Sequence, residues 1–371
     1  MNRLTLTFDP CATIHISQLL AGFRLLERQG LCALSIRREE TGSRFGHNQL
    51  VIARFPDGRA AVFDAHDSGA PHCSLEAFDA AMEELNVGWY FRRSHRAAYY
   101  AASAYAGRQL PLGFNYHVSC AGNPYNRFRA RDLKGLRDPG KRHILLRKAL
   151  ACLPAGRLSD RQYYPERFEA SAERRRSDTI LFLTRTWFPL EEHDPACAPG
   201  SIGPAIERCP ELAGVLRMDE TRAALIRLLR KEYGGRAVAG FTHTPFARAM
   251  YPDLIVPEAM TRRPVYLRTM RDARICLTTV GLHRSTGWKL GEYLAASQAI
   301  VSEPLWYDVP GGFRAGTHYL PFETPEGALE RTAFLLEEPG ALAQMRAENQ
   351  AYYEKYLRPD QLIFNALQRC V

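Results

Sequence analysis

The run Gly281-Leu282-His283-Arg284-Ser285-Thr286-Gly287-Trp288-Lys289-Leu290-Gly291-Glu292 concentrates cations, hydroxyls and a carboxylate in one short stretch. Lys289 and Glu292 are three residues apart, so on a helix they share a face, and that face lies toward the preceding loop. The unpaired N–H groups at a helix start attract phosphate, and Arg284, Ser285, Thr286 and Lys289 add charge-assisted and hydroxyl hydrogen bonds to the same anion. Glu292 would repel that anion, which suggests a different use: a carboxylate can accept both hydroxyls of a ribose. Together the residues suit a nucleoside diphosphate. On spacing alone, an exposed Lys289–Glu292 helix pair worth a few tenths of a kcal/mol explains them equally well.

The elements that must position this run are legible from periodicity. Ile275 to Thr279 reads as a strand, Gly287 to Ala296 as a helix and Ala299 to Ser302 as a strand. Upstream, Thr179 to Thr184 is a strand, a helix begins at Asp219, Arg236 to Phe241 is a strand and Val265 to Met270 a short helix. This alternation predicts a parallel sheet wrapped by helices, with ligands at the carboxyl ends of its strands. In the first half, Leu4 to Phe8 alternates apolar residues with threonine, and Ile16, Leu19, Leu20, Phe23 and Leu26 follow with helical spacing up to Gly30. Leu31 to Ile36 is a second strand, and Leu50 to Phe55 turns through Pro56-Asp57-Gly58 into Ala60 to Phe63 as a hairpin. Ser74 caps a helix to Leu85, Gly88 to Arg92 is a further strand, and a final helix runs from about Ala341 to Tyr356.

At 371 residues the chain suits two domains. Periodicity fails between Ala151 and Ser177, where the charge run Glu173-Arg174-Arg175-Arg176 suits an exposed connection. The expected division is 1–150, a linker 151–177, a second domain 178–350 and a C-terminal helix and tail 351–371. Hydrophobic residues at 46% and charged residues at 24% describe a globular protein. No stretch approaches a spanning helix and the N-terminus goes directly into a strand, so a cytoplasmic location is expected. Nine cysteines without a Cys-x-x-Cys pair suggest neither a zinc ribbon nor a disulfide framework. The balance of 49 Lys plus Arg against 40 Asp plus Glu gives +9 and favours anionic ligands without naming them.

The run from Lys289 to Ser302 resembles the donor signature of GT-B glycosyltransferases, in which a Lys-x-x-Glu-Tyr-x-Ala helix leads into an apolar strand. The resemblance covers roughly Thr179 to Tyr356. It implies an α/β fold of two facing Rossmann-like domains with a cleft between them, an acceptor bound by 1–150 and a nucleoside-diphosphate sugar bound by 178–350. It also implies no required metal or other cofactor. Arg185, directly after the strand ending at Thr184, matches the place where such enzymes put a basic residue on the diphosphate. His243 and Thr244 could line the base pocket, and Trp288 could stack on the base. Many retaining members carry a Glu eight residues before the ribose Glu. Here that position is Arg284, which leaves the sugar contact and the stereochemistry open.

Glycosyl transfer commonly uses a base on the acceptor hydroxyl. Candidates from the first half are Asp9 and His15 in one loop and Asp64-Ala65-His66-Asp67 in another. His15 sits at a helix start, where the resemblance places a catalytic or acceptor-contacting residue. His66, flanked by carboxylates, is expected to have a raised pKa and an oriented ring. His15, Asp64 and His66 are the catalytic candidates, with helix and turn capping as the competing reading for the aspartates. Asp-x-His-Asp without a second ligand group nearby does not suggest a metal. Arg92, Arg93, His95 and Arg96 could hold an anionic acceptor or form a solvated face. The expected partners are a sugar nucleotide and a glycan, lipid-linked or protein acceptor, with peripheral association at the inner membrane face left open. Bacterial glycan or glycoconjugate assembly would be a natural setting for such an enzyme. The competing readings are a sugar-nucleotide-binding accessory protein and a basic protein for nucleic acid or anionic membrane. The second is disfavoured because the basic residues lack aromatic interleaving.

Overall fold

The computed structural model describes residues 2–126, 142, 145–146, 148–150, 153, 160–188 and 202–370. The first unit is built on a six-stranded sheet: β1 (Asn2–Phe8), β2 (Cys32–Arg38), β3 (Leu50–Arg54), β4 (Ala60–Asp64), β5 (Val87–Arg92) and β6 (Gln109–Pro111), in the order β2-β1-β3-β4-β5-β6. The alternation read in β1 is a real two-sided pattern, with Leu4, Leu6 and Phe8 buried and Thr5 and Thr7 only partly so. β3 runs antiparallel to β4, because the turn at Asp57 and Gly58 returns the chain directly, and it also pairs antiparallel with β1. This sheet is therefore mixed, with its antiparallel part at the expected hairpin.

The second unit holds β7 (Ile180–Thr184), β8 (Ala237–Phe241), β9 (Ile275–Thr278), β10 (Ala299–Ser302) and β11 (Leu320–Pro321), in the order β11-β10-β9-β7-β8. All its pairings are parallel. β7, β9 and β10 are buried along their whole lengths, as strands covered by helices on both faces must be.

Two helix boundaries differ from the sequence reading. The helix expected to begin at Asp219 spans Leu212–Tyr233, and Asp219 lies inside it, fully buried. Its carboxylate accepts from the backbone N–H of Trp187 and Phe188, so it caps the loop after β7 instead of its own helix. The single helix expected near the C-terminus is a series: Pro325–Glu337, Pro339–Tyr352, a π-helical turn Tyr353–Leu357, and Pro359–Gln368. Pro339 and Pro359 sit at first helical positions, where proline is tolerated and marks each restart.

The last of these helices crosses back onto the first unit and packs on the Ser17–Arg28 helix. The approach is so close at Gly22 that an added Cβ would stand 2.1 Å from the Pro359 carbonyl oxygen. One apolar cluster runs from Leu4, Phe23 and Phe63 through Phe114 and Tyr116 to Leu290, Tyr293 and Ile363, so both units share a core. The charge run ending at Arg176 is not simply solvated: Arg174 pairs with Asp272, and Arg176 donates to the carbonyls of Ser171, Arg271 and Ala296. Residues 151–152 and 154–159 of the expected linker lie outside the described residues. Among the described residues no helix is long and apolar enough to cross a membrane.

Candidate functional site

From β7 the chain passes to β8 on one side and later returns to β9 on the other. The loops after β7 and β9 therefore diverge, and an open crevice forms at the carboxyl ends of the strands. A cleft of about 560 Å³ occupies this place, a volume within the usual range for ligand pockets. The second unit lines it with Thr184, Arg185 and Trp187 after β7, Thr242 after β8, and Thr278, Thr279, Gly281, Ser285, Gly287, Trp288 and Lys289 after β9. The first unit closes it with His15, Asp67 and Arg93.

Lys289 stands in the first turn of the Trp288–Ala295 helix. Burial pushes its ammonium below the usual lysine range, opposed by the field of Glu292. Its Nζ lies 5.0 Å from the centre of the Tyr266 ring and, among the described residues, makes no hydrogen bond or ion pair. A half-buried cation at a helix start, without a counter-charge in contact among the described residues, is suited to receive an anion. Arg185 adds a second positive group on the opposite wall, its guanidinium 4.5 Å from the centre of the Trp187 ring.

Arg222, which the sequence reading did not single out, fixes the two diverging loops to each other. It is buried and donates to Thr279 Oγ1 at 2.9 Å, to the Arg185 carbonyl at 3.0 Å and to the Val280 carbonyl at 2.8 Å. Asp219 lies 3.7 Å from it, and burial pushes that carboxyl up to about 6 against the pull of two N–H groups and Arg222. The loop from Gly281 to Gly287 carries two successive left-handed residues, His283 at φ 56° and Arg284 at φ 57°, a conformation costing non-glycine residues about 1–2 kcal/mol each. It is held by the Tyr307 hydroxyl, which donates to the His283 carbonyl at 2.8 Å. The same hydroxyl accepts from the Gly69 N–H of the first unit at 3.1 Å.

The structure separates the expected site residues. Lys289, Ser285, Arg185 and His15 meet in the cleft, with Trp288 beside His15 at a ring distance of 5.0 Å. Thr286 contributes a carbonyl that Arg93 takes up. Glu292 does not open on the cleft. It is 3% exposed, with Oε1 2.9 Å from the Arg263 guanidinium and Oε2 accepting from the Tyr266 hydroxyl at 2.6 Å. Both oxygens are engaged by the Arg263–Asp272 helix, and Glu292 does not line the cleft that Lys289 lines, where the ribose contact is expected. Arg284 turns outward to stack on Trp306, 4.3 Å from the ring centre, and does not line the cleft. His243 is tied by Nε2 to the Val256 carbonyl at 2.8 Å and also lies outside it.

Two of the three base candidates are likewise placed elsewhere. Asp64 is 1% exposed and paired with Arg92 at 3.3 Å, while the Tyr90 hydroxyl donates to it at 3.1 Å. Burial would raise its pKa, but His47 and Arg92 together hold the carboxyl far below the usual carboxylate range. His66 packs against His47 and His72, with ring distances of 4.8 and 3.9 Å. The raised pKa expected from its flanking aspartates is reversed: burial first, then the fields of His47 and His72, push it down to about 4 against Asp64 and Asp67. Among the described residues no group of three or more His, Cys, Asp and Glu is arranged to hold a metal ion.

The carboxylate that does reach the cleft is Asp67, which spacing could not distinguish from Asp64. Asp67 Oδ2 lies 3.5 Å from His15 Nε2, and its other oxygen accepts from Arg93. Burial would raise its pKa, but Arg93 and His15 hold it well below the usual range, so it is charged at neutral pH. On the other side of the ring, His15 Nδ1 is 2.9 Å from the Thr13 hydroxyl. An ionised carboxylate on Nε2 favours the proton there and leaves the Nδ1 lone pair to accept one.

The sequence matches no family profile and no curated protein. Solved structures similar to this chain include Anabaena Alr3699/HepE in complex with UDP-glucose, at 10% identity over the whole of both chains and a TM-score of 0.37. They also include the spinosyn forosaminyltransferase SpnP, at 12% identity over all of this chain and 99% of that one, TM-score 0.35. The GtfA/B complex matches 87% of this chain and 63% of its own at 12% identity, TM-score 0.28.

Proposed function

We propose that this chain is a glycosyltransferase that holds a nucleoside-diphosphate sugar at the carboxyl ends of β7 and β9 and passes the sugar to an acceptor hydroxyl entering beside His15. The observation that carries this reading is Lys289: a half-buried ammonium at a helix start, lining a cleft at the sheet's crossover point with no carboxylate in contact among the described residues. Such a position costs stability unless a ligand supplies the negative charge. Lys289, Arg185 and the N–H groups at the start of the Trp288–Ala295 helix would hold the diphosphate. They would also stabilise the charge that grows on it as the bond from the sugar C1 to the phosphate oxygen breaks. The electron pair of that bond leaves with the nucleoside diphosphate. The acceptor oxygen forms the new bond to C1, and its proton passes to His15 Nδ1 after the hydroxyl displaces Thr13 from that nitrogen. Asp67 stabilises the imidazolium. The positive side chains carry the electrostatic work, so we propose that transfer needs no metal. The sugar and the acceptor class, whether glycan, lipid-linked or protein, follow from the pathway in which the enzyme works, for which bacterial glycan assembly is our reading.

Release of nucleoside diphosphate from a panel of UDP-, dTDP-, GDP- and ADP-sugars, with EDTA present, tests the reading. Turnover that disappears in Lys289→Met and falls steeply in His15→Ala supports it. Turnover unaffected by Lys289→Met overturns the site, and binding without turnover across the panel reduces the chain to a sugar-nucleotide-binding accessory protein.

A further inference from the structure

Arg93 comes from the first unit, directly after β5, and its side chain is 2% exposed. One nitrogen of its fork donates to Asp67, the carboxylate facing His15. The other donates to the carbonyl of Thr286, 193 residues away in the loop that leads into the Lys289 helix. The stem and the Asp67 loop are fixed around it: the Arg93 N–H donates to the Asp64 carbonyl at 2.9 Å, and the Ser94 hydroxyl donates to the carbonyls of His66 at 3.1 Å and Asp67 at 2.7 Å.

We infer that Arg93 is a positioning residue that ties the donor-binding loop to the base, one arm of its fork holding the Thr286 carbonyl and the other the Asp67 carboxylate that orients His15. The inference rests on the donor and base assignments above. A rigid planar fork suits it, because two acceptors on different units must be held at a fixed separation, which a single ammonium does less well. Thr286 lies between the strained pair His283–Arg284 and the helix start at Trp288. A diphosphate that settles on Lys289 and Ser285 must move or brace this loop. Any movement of the Thr286 carbonyl is passed through Arg93 to Asp67, so donor binding sets the placement of the base.

The test uses the full chain and compares Arg93→Met and Arg93→Lys. With a turned-over sugar nucleotide, Arg93→Met should lower kcat about 100-fold, the scale of loss expected from a small misplacement of a reacting group. The KM for the donor should stay within about threefold, since the diphosphate contacts remain. Arg93→Lys should recover part of the loss. In a His15→Ala background Arg93→Met should cost much less than in the wild type, because the arm on Asp67 acts through that ring and only the arm on Thr286 remains to be lost. Fully additive losses would overturn the inference. Amide hydrogen exchange provides a readout independent of turnover: Arg93→Met should speed exchange in both 66–69 and 281–287, and unchanged exchange in either segment overturns the tie. A wild type without turnover removes the glycosyltransferase reading, while the exchange measurement still decides whether Arg93 joins the two loops.

Discussion

Oε1 of Glu292 lies 2.9 Å from the guanidinium of Arg263, closing an ion pair beneath the helix that presents Lys289 to the cleft. Tyr266, one turn further along the Arg263–Asp272 helix, donates to the other carboxylate oxygen, so Glu292 is a structural anchor between two helices. Removing one partner of a buried pair leaves the other without compensation, at a cost of about 3 kcal/mol at a site where Arg263 keeps some water contact. Glu292→Ala should therefore lower stability by that order in chemical denaturation, and Glu292→Gln, whose carbonyl can still accept from Arg263 while its amide donates to the Tyr266 oxygen, by less. A Glu292→Ala protein of native stability that binds the best nucleoside diphosphate of a UDP, dTDP, GDP and ADP panel more than tenfold more weakly would restore the ribose role.

Lys289 is where the anion contact is expected to be strongest. A hydrogen bond to a charged group is worth about 1.5–3 kcal/mol, so Lys289→Met should weaken whichever nucleoside diphosphate of a UDP, dTDP, GDP and ADP panel binds wild type best about 10- to 150-fold, with Lys289→Arg recovering part of the affinity. Calorimetry measures this directly. Affinity within threefold of wild type would place the diphosphate elsewhere. Arg284→Ala provides the contrast: Arg284 stacks on Trp306 outside the cleft, and affinity for the same nucleotide should be nearly unchanged.

The ring of His66 is held at about 4, below its ordinary 6.5, by burial and by the neighbouring rings of His47 and His72. Between these values the unfolded chain binds a proton that the folded chain refuses, so the contribution to stability is full above pH 6.5 and falls away on acidification toward 4. Asp64 and Asp67, whose pKa values are lowered, oppose folding only once they protonate, below about 3.8. Asp219, raised to about 6, gains stability on acidification over the same window, so the readout is the difference between proteins: from pH 7 to pH 5 the thermal unfolding midpoint of wild type should fall relative to that of His66→Gln. Equal slopes in the two proteins would mean that the cluster does not carry the effect.

The contact at Gly22 allows the Pro359–Gln368 helix to seat on the Ser17–Arg28 helix, and a methyl group there meets backbone instead of a flexible side chain. Gly22→Ala should cost about 1–3 kcal/mol by overpacking. The loss should appear as a lower unfolding midpoint while nucleotide affinity per folded molecule is kept. A Gly22→Ala protein as stable as wild type would mean that the two helices separate without penalty.

Much of the scaffold could be read directly. The apolar runs of β7, β9 and β10 and the alternation of β1 record which faces each segment buries, and the hairpin at Pro56-Asp57-Gly58 follows from turn chemistry. The Leu212–Tyr233 helix was read seven residues too late because Asp219 has the composition of a helix start, while its carboxylate serves the loop after β7. Local patterns cannot distinguish a side chain that caps its own helix from one that caps a neighbour's loop.

By itself the sequence determined the loop and helix that place Lys289 at a helix start after a buried strand, since periods of 2 and 3.6 residues and the free N–H groups of a first turn are local properties. Only the tertiary structure decided what each carboxylate does: Glu292 is taken by Arg263, Asp64 by Arg92, and Asp67 alone of the three turns to His15 in the cleft. Those choices depend on which strands lie side by side and which loops meet across the two units. The partners of a charge are selected by distance in space and by what burial will tolerate unpaired, and neither is written in residue spacing.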